Sequence, residues 1–266
     1  MINFIKGILG GIGNIVPGLS GAALLVIFGI YEKCIESITE IIRFKNITKN
    51  ILFLLPIAIG ITLGTILFGN IIKFFLDNWP GPTTYAFFGF ILGTVPFLFK
   101  EANKDGFNKK YLIAFFITLS IGIILAITSL SNSVQLTNIN LSQSIILGIV
   151  LSASTIIPGI SSTVLLSIIG MYDVYLDAVS SVDILFLLPV AIGFIIGAIL
   201  FAFLINFLFK KYYGYTFYAI IGFTLATIPT VLRGSLSFDL ISLISIILLI
   251  ITFTITYLLG KRSMVK

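Results

Sequence analysis

The sequence has little charge, one cysteine and no histidine, and each shortage excludes a class of protein. Only 10% of its 266 residues are charged, whereas 58% are hydrophobic, and the mean hydropathy is +1.18. A soluble domain carries roughly a quarter charged residues, so this chain is too apolar for a water-soluble globule and requires lipid around it. The single Cys34 excludes an intrachain disulfide. The absence of histidine excludes imidazole-based metal sites, triads and acid–base pairs.

Basic residues exceed acidic ones, 16 to 10, for a net charge of +6. They do not form a stripe with interleaved aromatic residues, so the pattern predicts no nucleic-acid partner. No cofactor and no metal-ligand set is predicted either. We interpret the basic residues as signals of membrane topology.

Two segments of the sequence occur twice. Residues 14–32 (NIVPGLSGAALLVIFGIYE) return as 155–173 (TIIPGISSTVLLSIIGMYD), and 51–60 (ILFLLPIAIG) return as 184–193 (ILFLLPVAIG). Hydrophobicity alone does not produce such matches, so the sequence indicates a duplication. We predict one membrane domain, 1–266, made of repeat A (4–130), an external linker (131–142) and repeat B (143–262).

Charge-free stretches of about 17 to 25 residues, long enough to cross a bilayer as a helix, occur three times in each repeat. They are 51–72, 83–99 and 111–130 in repeat A, and 184–209, 215–232 and 240–260 in repeat B. Two further apolar segments, 7–30 and 143–171, each contain a Pro-Gly break. Each is either one broken span or a re-entrant hairpin of two half-helices.

The distribution of basic residues favours the hairpins. With hairpins, every Lys and Arg except Lys73 and Arg233 lies on one side, which the positive-inside rule identifies as cytoplasmic. We therefore predict an all-α integral membrane protein with six transmembrane helices, two re-entrant helical hairpins and both termini in the cytoplasm. Because each repeat crosses an odd number of times, the repeats have inverted topology and the hairpin tips meet near the midplane.

The Pro-Gly-x-Ser motif of each hairpin predicts a helix start inside the membrane. Proline suits the first helical position, so Pro17 and Pro158 are expected to begin the second half-helices. The free amides at such a start need a partner in lipid, and a helix N-terminus favours an anion. The alternative is a helix kink satisfied by neighbouring side chains. The candidate phosphate-binding residues are Asn14, Pro17, Gly18, Ser20, Gly21, Pro158, Gly159, Ser161, Ser162 and Thr163.

The duplicated motifs PGLSGAALLVIFGIYEK and PGISSTVLLSIIGMYDV resemble those of the bacterial polyprenyl phosphate transporter (PopT) family, and the resemblance covers essentially the whole chain. The resemblance implies a flippase, not an enzyme, in the bacterial cytoplasmic membrane. Its substrate would be undecaprenyl phosphate, returned from the outer to the cytoplasmic leaflet for cell-envelope synthesis. In that family the first motif usually reads Pro-Gly-x-Ser-Gly-Gly-Thr; here Ala22 and Ala23 replace the final Gly-Thr.

Several charged residues have two interpretations. Lys73 and Arg233 either extend to the lipid headgroups or capture the phosphate of the outer leaflet. The acidic residues expected at the far ends of the second half-helices are either solvated or couple transport to protons. These are Glu32, Glu36, Asp173 and Asp177.

The alternative function is that of a membrane phosphatase. Undecaprenyl pyrophosphate phosphatases also resemble inverted repeats with re-entrant segments, and residues 158–162 partly match their Pro-x-Ser-Ser tip. Those enzymes use a histidine with nearby Glu and Arg, whereas this sequence has no histidine and no acid near either tip. A noncatalytic scaffold would not explain polar, helix-breaking tips in both copies. The sequence does not predict an oligomeric state.

Overall fold

The computed structural model of the protein describes residues 2–15, 20–131, 139–180, 183–228 and 240–263. Within these ranges the chain is helical and forms no strand. The all-helical class predicted from the charge-free stretches is therefore confirmed.

The order of helices repeats between the two halves. The first half contains α1 (Ile2–Ile15), α2 (Gly21–Ile27), α3 (Tyr31–Ile42), α4 (Ile47–Asn78), α5 (Pro80–Ala102) and α6 (Tyr111–Ser131). The second half contains α7 (Leu141–Ile156), α8 (Ser162–Ile168), α9 (Tyr172–Ser180), α10 (Ile184–Lys211), α11 (Tyr213–Ala226) and α12 (Leu240–Ser263). The repeat seen in the sequence is thus matched by the order and relative lengths of the elements.

Five of these helices are long and apolar enough to cross a membrane, namely α4, α5, α6, α10 and α12. They correspond to five of the six predicted spans. The sixth, predicted at 215–232, corresponds to α11, which has 14 residues in the described part of the chain. The topology of six spans and two re-entrant hairpins, the inversion of repeat B and the domain boundaries remain predictions.

The helices α1 and α2, on either side of the first Pro-Gly motif, pack against each other. The Gly21 amide donates to the Asn14 side chain at 3.0 Å, and Lys6 Nζ donates to the carbonyl oxygen of Phe28 at 2.7 Å. Contacts therefore run in opposite order along α1 and α2, as in a hairpin and not as in one broken span. The helices α7 and α8 also pack against each other.

Glycines bring α1 against α4 and α7 against α10. A Cβ added to Gly60 would lie 2.3 Å from the carbonyl oxygen of Phe4, and one added to Gly193 would lie 2.0 Å from that of Ile145. Both distances are too short for any side chain, so the backbones touch directly. A Cβ on Gly64 would likewise lie 2.3 Å from the carbonyl oxygen of Ile8, and one on Gly197 would lie 2.0 Å from Ser152 Oγ.

The two halves interlock. The helix α5 of the first half packs along α12 of the second, while α11 of the second half packs along α6 of the first. The largest buried cluster contains side chains of both halves, including Ala22, Leu98, Ile156 and Ile221. Helix α2 of the first half and α7 of the second therefore both border one shared core.

Two glycines separate the short helices from the acidic residues. Gly29 and Gly170 adopt left-handed conformations, with φ of +65° and +69°, and such residues commonly end helices. The acids therefore lie on separate helices, α3 and α9, and the prediction that they end the second half-helices is wrong. The residues concerned are Glu32, Glu36, Asp173 and Asp177.

Candidate functional site

The first hairpin tip places Ser20 at the start of α2. Ser20 is the N-cap residue, and its side chain makes no capping hydrogen bond. The Oγ atom is buried and has no hydrogen-bond partner among the described residues. Burying a hydroxyl group without a hydrogen-bond partner costs free energy. A ligand atom that accepts a hydrogen bond from this hydroxyl therefore stabilises the complex. Pro17 and Gly18 lie outside the described residues.

Asn14 makes a structural contact at the same tip. Its Oδ1 accepts the amide hydrogen of Gly21 at 3.0 Å, which satisfies one of the donors left open at the helix start. A Cβ on Gly21 would lie 2.3 Å from this Oδ1 and 2.3 Å from the carbonyl oxygen of Gly10. The Gly21 amide is therefore already bonded and is not one of the free donors that the sequence predicted.

The second tip begins its helix later than expected. The helix α8 starts at Ser162 with Ser161 as its N-cap, and Pro158 and Gly159 form the turn before it. Gly159 has φ of +86°, a left-handed conformation that does not fit a right-handed helix. The prediction that Pro158 occupies the first helical position is therefore wrong.

Little space surrounds the second tip. Ser161 is buried and lines a cavity of about 20 Å³ with residues of α6 and α11, which is close to the space needed for one water molecule. A Cβ on Gly159 would lie 2.8 Å from both the Ile220 carbonyl oxygen and Thr224 Oγ1. This cavity is too small for a phosphate group in the arrangement that the structure describes.

A larger cavity lies beside α3, α5 and α11. Its volume is about 470 Å³, and its apolar wall includes Val26 and Phe217. Three carboxylates and two ammonium groups line it, so its charge does not favour a phosphate. The charged residues are Glu32, Lys33, Glu36, Glu101 and Lys104.

Tyr213, at the start of α11, joins two of these carboxylates. Its hydroxyl oxygen lies 2.8 Å from Glu32 Oε1 and 2.6 Å from Glu101 Oε1. Burial, together with the hydrogen bonds to Glu101 and Glu32, raises the pKa of the Tyr213 phenol far above its usual value. Tyr213, which lies outside the five candidate spans, therefore keeps its proton.

Lys104 supplies the positive charge of this cluster. Its Nζ lies 3.2 Å from Glu101 Oε1 and 4.0 Å from Glu32 Oε1. The same Nζ stands 3.7 Å from the centroid of the Tyr213 ring, a favourable position for an ammonium over an aromatic face. One ammonium group thus serves two carboxylates.

The other two charged residues of the cavity have partners elsewhere. Glu36 Oε1 lies 4.0 Å from Lys210 Nζ, and Lys33 Nζ lies 4.5 Å from the centroid of the Phe53 ring. Glu36 is therefore paired with Lys210, whereas Glu32 and Glu101 both contact the Tyr213 phenol.

Tyr31 connects this cavity with the second tip. It lines the cavity, and its hydroxyl donates to the carbonyl oxygen of Ile156. Ile156 is the last residue of α7, just before the Pro-Gly turn, and both side chains are buried. The acidic helix of the first half therefore contacts the tip of the second half.

Among the remaining predicted site residues, Asp177 is exposed on α9. The side chains of Lys73, Thr163 and Asp173 are outside the described part of the structure, and so is the whole of Arg233. Among the described residues, no group of three or more His, Cys, Asp or Glu side chains is placed to hold a metal ion.

Sequence reasoning missed Glu101, Lys104 and Tyr213. They lie outside the duplicated motifs, and Glu101 and Lys104 belong to a charged stretch that reads as a topology signal. Their contact with Glu32 depends on how distant parts of the chain are arranged around the start of α3. No pattern within the sequence indicates that contact.

Comparison with known proteins identifies relatives over most of the chain. The family described as undecaprenyl phosphate translocase-like matches residues 10–240. A polyprenyl-phosphate transporter of Staphylococcus aureus is 30% identical over 98% of this chain and 96% of its own length. A polyprenyl-phosphate transporter of Vibrio cholerae is 30% identical over 86% of this chain and 76% of its own length. No solved structure gives a significant match.

Proposed function

Because the chain belongs to the undecaprenyl phosphate translocase-like family, we propose that it is a flippase that carries undecaprenyl phosphate from the outer to the cytoplasmic leaflet. Relatives named polyprenyl-phosphate transporters support the class of substrate. The five apolar helices support a multi-pass membrane protein. We place it in the bacterial cytoplasmic membrane with both termini in the cytoplasm, where the returned lipid is used again for cell-envelope synthesis.

The observation that carries the phosphate site is the Ser20 hydroxyl. It is buried at the start of α2 without a hydrogen-bond partner among the described residues. A phosphate oxygen would accept its hydrogen, and a hydrogen bond to a charged group is worth about 1.5–3 kcal/mol. The partial positive charge of a helix start adds to this attraction. We propose that Pro17, Gly18 and Gly21 shape this tip while Ser20 donates to the headgroup.

The second tip contributes in the same way. Ser161 is the N-cap of α8, and its side chain makes no capping hydrogen bond; Ser162 and Thr163 follow it. Because the cavity at Ser161 is small, the headgroup binds there only in a conformation in which α8 has moved. We propose that the opposed tips hold the headgroup near the midplane while the tail stays in lipid.

Roles for the other charged residues follow from the proposed movement of the headgroup from the outer to the cytoplasmic leaflet. Lys73 and Arg233 are proposed to attract the phosphate at the outer leaflet. Candidates for proton coupling are Glu32, Glu36, Asp173 and Asp177. Glu36 is exposed and near Lys210, as in an ordinary solvated pair. A transported lipid needs a lateral opening between helices for its tail. The glycines of α4 and α10 are closely packed against α1 and α7, so we propose that this opening lies between other helices.

Leaflet exchange in vesicles tests the proposal. The protein is reconstituted into liposomes with a short-chain polyprenyl phosphate, and a membrane-impermeant phosphatase added outside reports how much headgroup becomes accessible with time. We expect nearly complete accessibility with protein and about half without it, because half of the lipid starts in the inner leaflet.

A parallel reaction addresses the phosphatase alternative. Vesicles containing polyprenyl pyrophosphate, without added phosphatase, are followed for release of phosphate. Transport predicts no release above that of protein-free vesicles. Release without leaflet exchange would overturn the proposal in favour of an enzyme.

A further inference from the structure

A further cavity, here called the boundary pocket, lies where three apolar helices begin or end. Its wall includes Ala102 at the end of α5, Tyr111 at the start of α6 and Lys211 at the end of α10. Because each of these helices is a candidate membrane span, we expect the pocket at the level of the lipid headgroups. Its volume is about 140 Å³, and a water molecule occupies about 30 Å³. The pocket therefore has room for a group of the size of a phosphate.

Tyrosine rings form much of the wall of the boundary pocket. The rings of Tyr111 and Tyr215 pack edge to face with their centroids 4.9 Å apart, and Tyr215 packs in the same way against Tyr212 at 6.4 Å. Tyr111 also lies against Gly214, where an added Cβ would be 2.5 Å from the ring. These contacts hold the rings in place before a ligand binds. Their phenol groups are hydrogen-bond donors that suit an anion.

Two opposite charges line the boundary pocket without neutralising each other. Lys211 and Asp105 are both exposed, and neither makes an ion pair with a residue that the structure describes. The Lys211 Nζ lies 5.5 Å from the centroid of the Tyr212 ring and 5.7 Å from that of Phe207, so the ammonium stays beside the pocket wall. A ligand that carries an anionic group and a hydrogen-bond donor close together would satisfy both charged residues.

The surroundings of the boundary pocket are basic. Lys109 and Lys110 immediately precede Tyr111 in the sequence. The three carboxylates of the neighbouring 470 Å³ cavity are matched by its two lysines and by Lys210, which lies 4.0 Å from Glu36. The balance of charge around the boundary pocket is therefore positive. Basic pockets at the cytoplasmic ends of membrane helices are typical sites for anionic lipid headgroups.

The face of α10 that leads to Lys211 is apolar and exposed. Leu200, Leu204 and Phe207 precede Lys211 at intervals of four, three and four residues, which places all four on one side of the helix. The three apolar side chains keep 59%, 44% and 54% of their surface accessible. This stripe offers a surface for a hydrocarbon chain next to the pocket, so the ligand that fits best is a lipid and not a free anion.

The charges of the pocket wall distinguish two classes of phosphate lipid. A phosphodiester carries one negative charge, which one ammonium group balances, whereas a phosphate monoester carries about 1.5 to 2 at neutral pH. The Asp105 carboxylate would repel the additional charge of a monoester such as polyprenyl phosphate. It would instead accept a hydrogen bond from a hydroxyl group of the headgroup. Since the surroundings are basic, a hydroxyl suits this position better than a further ammonium group.

We propose that the boundary pocket binds the headgroup of a glycerophospholipid of the surrounding leaflet, one that carries a phosphodiester and a hydroxyl group. Lys211 contacts the phosphodiester, and the phenols of Tyr111 and Tyr215 donate hydrogen bonds to it. Asp105 accepts a hydrogen bond from the headgroup hydroxyl, and an acyl chain lies along the exposed stripe of α10. No described residue of either hairpin tip lines this pocket, and the site does not rest on the proposed transport.

Native mass spectrometry of the full chain in a neutral detergent tests the site. Phosphatidylglycerol, phosphatidic acid and diacylglycerol with the same acyl chains supply a phosphodiester with hydroxyl groups, a monoester and no phosphate. We expect phosphatidylglycerol to bind at least about tenfold more tightly than diacylglycerol, as a hydrogen bond to a charged group predicts, and more tightly than phosphatidic acid. Asp105→Asn should narrow the second difference. Equal binding of phosphatidylglycerol and diacylglycerol would overturn the site, and tighter binding of phosphatidic acid by the wild type would overturn the choice of a diester.

Variants locate the binding in the boundary pocket. Lys211→Met, and Tyr215→Phe, which keeps the ring, should each weaken phosphatidylglycerol binding by about tenfold. The matched control is Lys261→Met, which changes an exposed lysine near the end of another long apolar helix, α12, and should bind as the wild type does. Equal losses in the two lysine variants would indicate general attraction to a basic surface and overturn the site. The Ser20→Ala, Ser161→Ala double variant should keep this binding, so failure of the tips as a phosphate site is distinguishable from failure of the pocket.

Discussion

The two hairpin tips share a sequence motif but differ in how their polar groups are satisfied. At the first tip, Asn14 of α1 accepts the Gly21 amide and so ties α1 to α2. At the second, the equivalent Thr155 bonds to the Leu151 carbonyl of its own helix. The side-chain contacts of these two equivalent residues therefore differ between the halves. A role in holding the tip can thus be separated from a role in binding the ligand.

The helix pairs that support the tips are, in contrast, alike. Gly60 and Gly193 place α4 and α10 directly against the backbones of α1 and α7. Alanine at either position should force the helices apart and lower the free energy of unfolding by about 3 kcal/mol, the upper range for overpacking. Thermal unfolding in detergent measures the loss.

The matched control for these variants is Gly69→Ala on α4, where an added Cβ would meet no atom within 4 Å. It should be neutral or slightly stabilising, because alanine is a better helix former than glycine. Equal losses in all three variants would contradict the packing account.

Ser20→Ala should separate function from stability at the first tip. Loss of a hydrogen bond to a charged headgroup predicts at least about a tenfold slower leaflet exchange. Stability should not fall, since the removed hydroxyl has no partner among the described residues. Ser120→Ala, on an exposed face of α6, is the control. A drop in stability together with unchanged exchange would support the helix-kink interpretation.

Asn14→Ala and Thr155→Ala sharpen the comparison of the tips. The first removes a bond across the hairpin and should lower the free energy of unfolding by about 1 kcal/mol, as for a lost helix cap. The second removes only a bond within α7 and should have little effect. Chemical or thermal unfolding of both variants checks the difference, which would disappear if the tips were equivalent.

The smallest effect on stability is expected from Glu40, near the end of α3. The described part of α9 contains no equivalent residue. Hydrogen bonds from Asn50 and Asn46 lower the pKa of Glu40 below its usual 4.5. A carboxyl whose pKa is lower in the folded state contributes stability above its unfolded value, and this is lost as the pH falls. Glu40→Gln should therefore be slightly less stable than the wild type at neutral pH and approach it below about pH 4.5. A difference that does not narrow on acidification would show that Glu40 acts in another way.

The features that depend on local pattern were predictable from the sequence. Long charge-free apolar stretches predicted five of the helices. The start of α8 was not predicted correctly, because Gly159 takes a left-handed conformation after Pro158. Proline alone does not determine where a helix begins.

The contacts that depend on distant parts of the chain were not predictable. Tyr213 and Glu32 are 181 residues apart in the sequence and meet through their side chains. The Tyr31 contact with Ile156 depends on the two halves sharing a core. The sequence indicated Glu32 as an acid near a membrane boundary. It gave no indication that a phenol and a second carboxylate complete the cluster.

Binding of the headgroup at the tips is the central claim, and ligand-induced stabilisation tests it most directly. A ligand that binds the folded state raises the unfolding temperature, so a short-chain polyprenyl phosphate is compared with the uncharged polyprenol of the same length. The account predicts a larger rise with the phosphate in the wild type, and loss of that extra rise in the Ser20→Ala, Ser161→Ala double variant. The same extra rise in both proteins would contradict it.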